Sequence, residues 1–225
     1  MPGRHSGDRP PRKRSSLGSV VVIVLASAGA LLLMVGLSSW FGAKQTTATP
    51  PPRPVPASAS APATPGPTTS ALAKSTPLRL DVPAIDVHTR LMTLGLNTDH
   101  TVQVPPLSRD APAGWYKNSP TPGQIGPAII LGHVDTAKYG PAVFYKLGKL
   151  KPGDEIKVTR ADSSVAVFKV DEVALYSKQQ FPTKKVYGDI DHPGLRLITC
   201  GGTFDFSARS YEDNTVIFAS LVGSS

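Results

Sequence analysis

Cys200 is the only cysteine in this chain of 225 residues, so any thiol chemistry rests on it alone. It closes the run Leu195-Arg196-Leu197-Ile198-Thr199 and is followed by Gly201-Gly202. Read as a strand and then a loop, this order puts the thiol at a strand mouth, open to a substrate. The competing reading is a buried structural cysteine, since the side chain packs as a small hydrophobe. A nucleophilic thiol needs a base or a cation beside it. Of the five histidines, His133 stands apart, because it follows the apolar strand Ala128–Leu131 and Gly132 and precedes Val134-Asp135. Acyl transfer also needs a donor for the oxyanion. Arg209, nine residues after Cys200, offers a permanently charged guanidinium across the predicted loop. Its bland alternative is a surface arginine paired with Asp205, Glu212 or Asp213. A single cysteine excludes an internal disulfide framework and any multi-cysteine zinc or iron–sulfur centre. No metal or cofactor is expected.

These residues need a scaffold, and the texture from Pro77 onward is that of strands. Short β-branched runs alternate with Pro/Gly breakers. The candidates are Leu78–Val82, Thr101–Val104, Ala128–His133, Glu155–Thr159, Val165–Tyr176, Leu195–Thr199 and Thr215–Leu221. One short helix is expected within Ala142–Lys149. Seven or eight strands in this length predict an all-β, closed or nearly closed barrel. Gly201–Ala208 reads as a loop.

Ahead of the barrel the composition divides into three. Residues 1–19 hold five Arg/Lys among Pro, Gly and Ser, and are expected to be disordered. Residues 20–41 contain the uncharged run VVVIVLASAGALLLMVGL, long enough as a helix to span a hydrocarbon core of roughly 30 Å. A cleavable signal peptide has a shorter apolar core, so an uncleaved transmembrane anchor is the preferred reading. The basic residues before it, with only Lys44 just after, predict a cytoplasmic N-terminus and an extracellular C-terminal domain. Residues 42–76 are rich in Pro, Ala, Ser and Thr and read as an extended stalk. Of the net charge of +8, all but +1 lies in these segments, since residues 77–225 hold 16 Lys/Arg against 15 Asp/Glu. That distribution excludes a basic domain face of the kind that tracks nucleic acid.

Together the three polar positions resemble the sortases. Arg196-Leu197-Ile198-Thr199-Cys200 is similar to the TLxTC signature of that family, with Arg196 where a threonine usually stands. Gly132-His133-Val134-Asp135 resembles its histidine motif, and Arg209 occupies the place of its arginine. The phrases LGHVDTAKYGPAVFYKL, LKPGD, FPTKKVYG and LRLITCGGTFD resemble the class F sortases of high-GC Gram-positive bacteria. The resemblance covers residues 77–225. It implies a closed eight-stranded sortase-like β-barrel with short helices, preceded by one transmembrane helix and a disordered stalk. It also implies a cysteine transpeptidase that cleaves LPxTG-type sorting signals and passes the acyl group to an amine, such as a cell-wall precursor. In that scheme Cys200 is the nucleophile, His133 the general acid, and Arg209 holds the oxyanion or the substrate backbone. Thr199 helps line the substrate and oxyanion site, and Asp135 is a candidate to orient His133.

Two other functions fit parts of the pattern. An L,D-transpeptidase also uses Cys, His and Arg, but its motif has Gly before the cysteine and Arg two residues after it. Here Thr199 and Gly202 occupy those places. A non-catalytic wall-associated binding module would have no need to keep all three polar positions.

Overall fold

The computed structural model describes residues 70–225. The expected cytoplasmic tail, the membrane anchor and most of the stalk lie outside the described residues. Eight strands close a barrel: β1 (Pro77–Val82), β2 (Val87–Leu94), β3 (Ala113–Tyr116), β4 (Gly126–Leu131), β7 (Glu155–Arg160), β8 (Val165–Ser177), β9 (Pro193–Asp205) and β10 (Ser210–Ser224). Two further strands, β5 (Asp135–Thr136) and β6 (Gly140–Pro141), form a small ribbon beside it. A single short helix, α1 (Thr183–Tyr187), lies in the connection between β8 and β9. Around the barrel the order is β1-β2-β3-β4-β9-β10-β8-β7, and β7 pairs back to β1. Most neighbours are antiparallel. The β2–β3 and β4–β9 pairs are parallel.

The interior is filled by one face of each strand. Leu80, Ile130, Ile156, Phe168, Leu197 and Ile217 belong to it and are fully buried. Successive side chains on a strand point to opposite faces, so the intervening residues of β4, β9 and β10 face outward. There Ile129, Ile198, Val216 and Phe218 form a second cluster with Val186 of α1. Two separate apolar faces explain why β4 and β9 read as nearly continuous apolar runs.

Several expectations are revised. β2 and β3 were not legible, and Thr101–Val104 makes only an isolated bridge between Val102 and Leu96. Within Ala142–Lys149 the regular structure is a 3-10 turn, Leu147–Lys149. Residues 70–76, given to the stalk by composition, dock on the barrel. Leu72 packs against the core, and Arg160, buried to 2% exposure, donates a hydrogen bond to the Ala73 carbonyl and another to Ser164 Oγ. A buried guanidinium needs such acceptors, and this segment supplies one.

The largest revision concerns Gly201-Gly202. The pair does not end the strand. β9 runs on to Asp205 and pairs with β10 as a long hairpin, shifting register between Tyr211 and Asp213. Gly202 has φ +78°, and a Cβ on it would lie 1.9 Å from Asp213 Oδ2. The glycine makes the bulge that keeps the hairpin paired. We expect Gly202→Ala to destabilise the domain by about 2 kcal/mol, most of it from forcing a side chain into the left-handed region. A melting temperature unchanged from wild type would refute this, since the expected fall is roughly 4–8 °C.

Candidate active site

The position of the thiol follows from two strand registers. In the parallel ladder Ile129 pairs with Arg196 and Leu131 with Ile198, and Gly132 N–H donates to the Ile198 carbonyl at 3.1 Å. Two residues further along each chain come His133, just past the end of β4, and Cys200, still within β9. On the other side β10 places Asn214 directly opposite Cys200, and β8 places Tyr176 opposite Asn214. The outer face of the sheet thus carries successive rows. Ile129, Arg196, Phe218 and Glu172 form one, and Leu131, Ile198, Val216 and Ala174 the next. The row Cys200, Asn214 and Tyr176 follows. The row Leu131, Ile198, Val216 and Ala174 is apolar, and the polar row lies beyond it.

Cys200 is partly buried and unpaired as a disulfide. His133 is half-buried, and its Nε2 lies 2.7 Å from the Pro105 carbonyl. A carbonyl only accepts, so Nε2 carries the proton of this bond and Nδ1 is the nitrogen left for other work. The main chain around His133 is equally constrained. Its carbonyl accepts from Phe144 N–H at 3.0 Å. A Cβ on Gly132 would lie 2.5 Å from the Phe144 ring, which is why glycine precedes the histidine.

Asp135 does not orient His133. Its Oδ2 accepts from the Tyr211 hydroxyl. Because β9 lies between β4 and β10, this bond crosses the ladder just past Cys200. Burial holds the Tyr211 phenol above the ordinary tyrosine range, helped by the bond to Asp135 and by the nearby Tyr145 and Cys200. The Tyr211 ring stacks edge-on against Phe204, which stacks on Phe206, each at 5.1 Å between centroids.

Arg209 and Thr199 stand apart from the thiol. Arg209 is exposed at the hairpin tip with φ 51°, just before β10 and five residues from Asn214. At about 3.3 Å per residue along an extended strand that separation is roughly 15 Å. It pairs with none of Asp205, Glu212 or Asp213. Asp205 is occupied in shaping the tip, accepting from Ser207 N–H, Ser207 Oγ and Ala208 N–H; the Ser207 bonds and that of Ala208 hold its carboxyl below the usual range. Thr199 is 4% exposed on the opposite, inward face of β9, and its Oγ1 has no hydrogen-bond partner. Only its backbone borders the site. Asn214, which sequence reading missed, occupies the place beside the thiol. Its only sequence signal is parity with Val216 and Phe218, and reading that needs the hairpin register.

A groove of about 730 Å³ runs along β4 toward this row. Ile129 and Leu131 line it from the strand, Leu96 and Val102 from the β2–β3 connection, and Thr183 and Tyr187 from α1. The α1 wall is clamped to the sheet by Lys185. Its ammonium donates to both Glu172 oxygens at 2.9 and 3.0 Å and to the Tyr176 hydroxyl at 2.8 Å, and it lies over the Phe218 ring at 4.8 Å. No group of three or more His, Cys, Asp or Glu among the described residues could hold a metal ion.

A closed barrel that pairs the strand carrying Cys200 with the strand leading to His133 has the thiol and imidazole that cysteine acyl transfer uses. The family model of the sortase domain matches residues 80–222, and the chain belongs to the sortase family of cysteine transpeptidases. Solved structures similar to it include a sortase D5 transpeptidase of Clostridium perfringens, 24% identical, covering 66% of this chain and 79% of that one with a TM-score of 0.49. A second is the SrtA sortase of Actinomyces oris, at 23% identity, 71% and 87% coverage and a TM-score of 0.49. Sortase A of Corynebacterium diphtheriae matches at 20% identity, 67% and 63% coverage and a TM-score of 0.48. The comparison with curated proteins gives no match.

The bond from Tyr211 to Asp135 generates a prediction. Tyr211→Phe should cost about 1 kcal/mol of stability and open the approach to Cys200. Alkylation of Cys200 by iodoacetamide, followed by mass spectrometry, should then be faster than in wild type. An equal or slower rate would show that the bond does not shield the thiol.

Proposed function

We propose that this sortase cleaves LPxTG-type sorting signals through an acyl-thioester on Cys200 and transfers the acyl group to an amine of the cell envelope. The observation that carries the reading is the parallel pairing of β4 with β9, which sets Leu131, two residues before His133, against Ile198, two residues before Cys200. In the first half-reaction the thiolate of Cys200 adds to the scissile carbonyl. His133 then protonates the departing amine, using the nitrogen not held by Pro105. In the second half the neutral acceptor amine adds to the thioester carbon and gives a proton back to His133, and the C–S bond breaks. The Leu-Pro part of the signal is apolar, which suits a groove lined by Leu96, Ile129, Leu131 and Tyr187. Arg209, exposed and without an ion-pair partner, holds the substrate backbone from the hairpin tip. Thr199 borders the site through its main chain. The phrases around His133 and Cys200 support a class F-like sortase of high-GC Gram-positive bacteria.

The test is Cys200→Ala in the full chain on an LPxTG-type fluorogenic peptide with a glycine or diaminopimelate amine. Cleavage should fall to background with the barrel intact by circular dichroism. Turnover at the wild-type rate would end the thiol mechanism.

The membrane placement belongs to the same proposal. Residues 20–41 anchor the chain, the basic residues before Val20 stay in the cytoplasm, and the barrel stands outside on the stalk. Protease added to wall-stripped cells should release the barrel. Full protection in intact cells, with cleavage after lysis, would reverse the orientation.

A further inference from the structure

Thiol addition to a carbonyl creates a negatively charged oxygen, and a site without a donor for it loses most of its advantage. Arg209 lies at the hairpin tip, five residues from the position opposite the thiol. The residue level with the thiol is Asn214. It pairs directly with Cys200 in the antiparallel β9–β10 ladder, and directly opposed residues hold their Cβ atoms about 4.5–5.5 Å apart. The two share a face. The preceding pairs are Val216 with Ile198 and Phe218 with Arg196; Val216, Ile198 and Phe218 belong to the outer cluster, and the Arg196 guanidinium lies 4.5 Å from the centre of the Phe218 ring. Asn214 is half-buried, and its carboxamide makes no hydrogen bond with any described residue. On the other side β9 pairs with β4, whose end leads into His133.

We propose that Asn214 is a catalytic residue, the side-chain donor to the oxyanion in both half-reactions. This rests on the sortase reading above. The first step forms the S–C bond and moves the carbonyl π pair onto oxygen, where the Asn214 Nδ2–H donates. Collapse returns that pair, breaks the C–N bond, and leaves the amine with the proton of His133. In the second step the incoming amine forms a C–N bond and the same oxygen is charged again. The pair then returns, the C–S bond breaks, the amine proton goes to His133 and the thiolate is restored. A carboxamide suits this place because it donates without carrying charge.

The experiment is steady-state kinetics of the full chain on an LPxTG-type peptide with a fixed amine acceptor, comparing Asn214→Ala, Asn214→Asp and Arg209→Ala. Asn214→Ala should lower kcat by about 10²–10³, with a much smaller change in KM. Asn214→Asp keeps shape but only accepts hydrogen bonds when ionised, and should be at least as impaired. Arg209→Ala should act mainly on KM. Asn214→Asp also guards against misfolding, because it is isosteric, and its thermal midpoint and Cys200 alkylation rate report an intact site. Asn214→Asp with wild-type kcat, or Asn214→Ala losing only KM, overturns the assignment. Absence of cleavage by wild type overturns the proposed function itself, whereas normal cleavage with insensitive Asn214 variants overturns this inference alone.

Discussion

The parallel pairing of β4 with β9 sets where the polar groups of the site meet. Parallel neighbours cannot be joined by a tight hairpin. The chain therefore travels from His133 through the β5–β6 ribbon, β7, β8 and α1 before returning as β9. That path sets the end of β4, which leads into His133, against the part of β9 that leads into Cys200, 67 positions later in the sequence than His133. The Gly132 N–H to Ile198 carbonyl bond is the last rung before the histidine. A one-residue slip there would turn His133 into the barrel and leave the thiol without a neighbouring imidazole.

The same alternation divides work between the two faces of β9. Leu195 and Leu197 fill the barrel, while Ile198 packs in the outer cluster and Cys200 follows it on the same face. Thr199 and Thr215, both buried and paired across the ladder, continue the inner face under the site. Gly201 is held close there, since a Cβ would lie 2.5 Å from Thr215 Oγ1. A rigid packed floor beneath the thiol keeps the reacting atoms in place, which is what orientation requires.

Arg196 explains how this chain departs from the threonine expected by family resemblance. Its guanidinium lies against the Phe218 ring and donates to the Leu195 carbonyl at 3.0 Å. Burial lowers its pKa below the ordinary arginine value, while Asp171 and Glu172 oppose the shift. The flat cation covers an aromatic on the outer face and, with Lys185, joins β8, β9, β10 and α1 behind the groove wall. A threonine would lose one of the two cations that meet the Phe218 ring. The departure therefore bears on the support of the outer face and leaves the pairing of Cys200 with Asn214 untouched.

Some of this was legible from residue types alone. A lone cysteine after an apolar run, a histidine after another, and many short strands led to a closed all-β barrel and to Cys200 and His133, because hydrophobic alternation and rare residues are local signals. β2 and β3 escaped, since VHTRLMTL and AGWY carry little alternation and gain their order from neighbours. Arg209 was chosen by its distance along the chain, which presumed a loop after Gly202. In the tertiary structure the positive φ of Gly202 lets the hairpin continue, moving Arg209 to the tip and Asn214 to the level of the thiol. Asp135 was drawn from His133 to Tyr211 by a strand that is distant in sequence and adjacent in space. Sequence determined which groups exist and which segments form strands. Only the barrel's registers decided which groups share a row, because register depends on cross-strand pairing that no local pattern records.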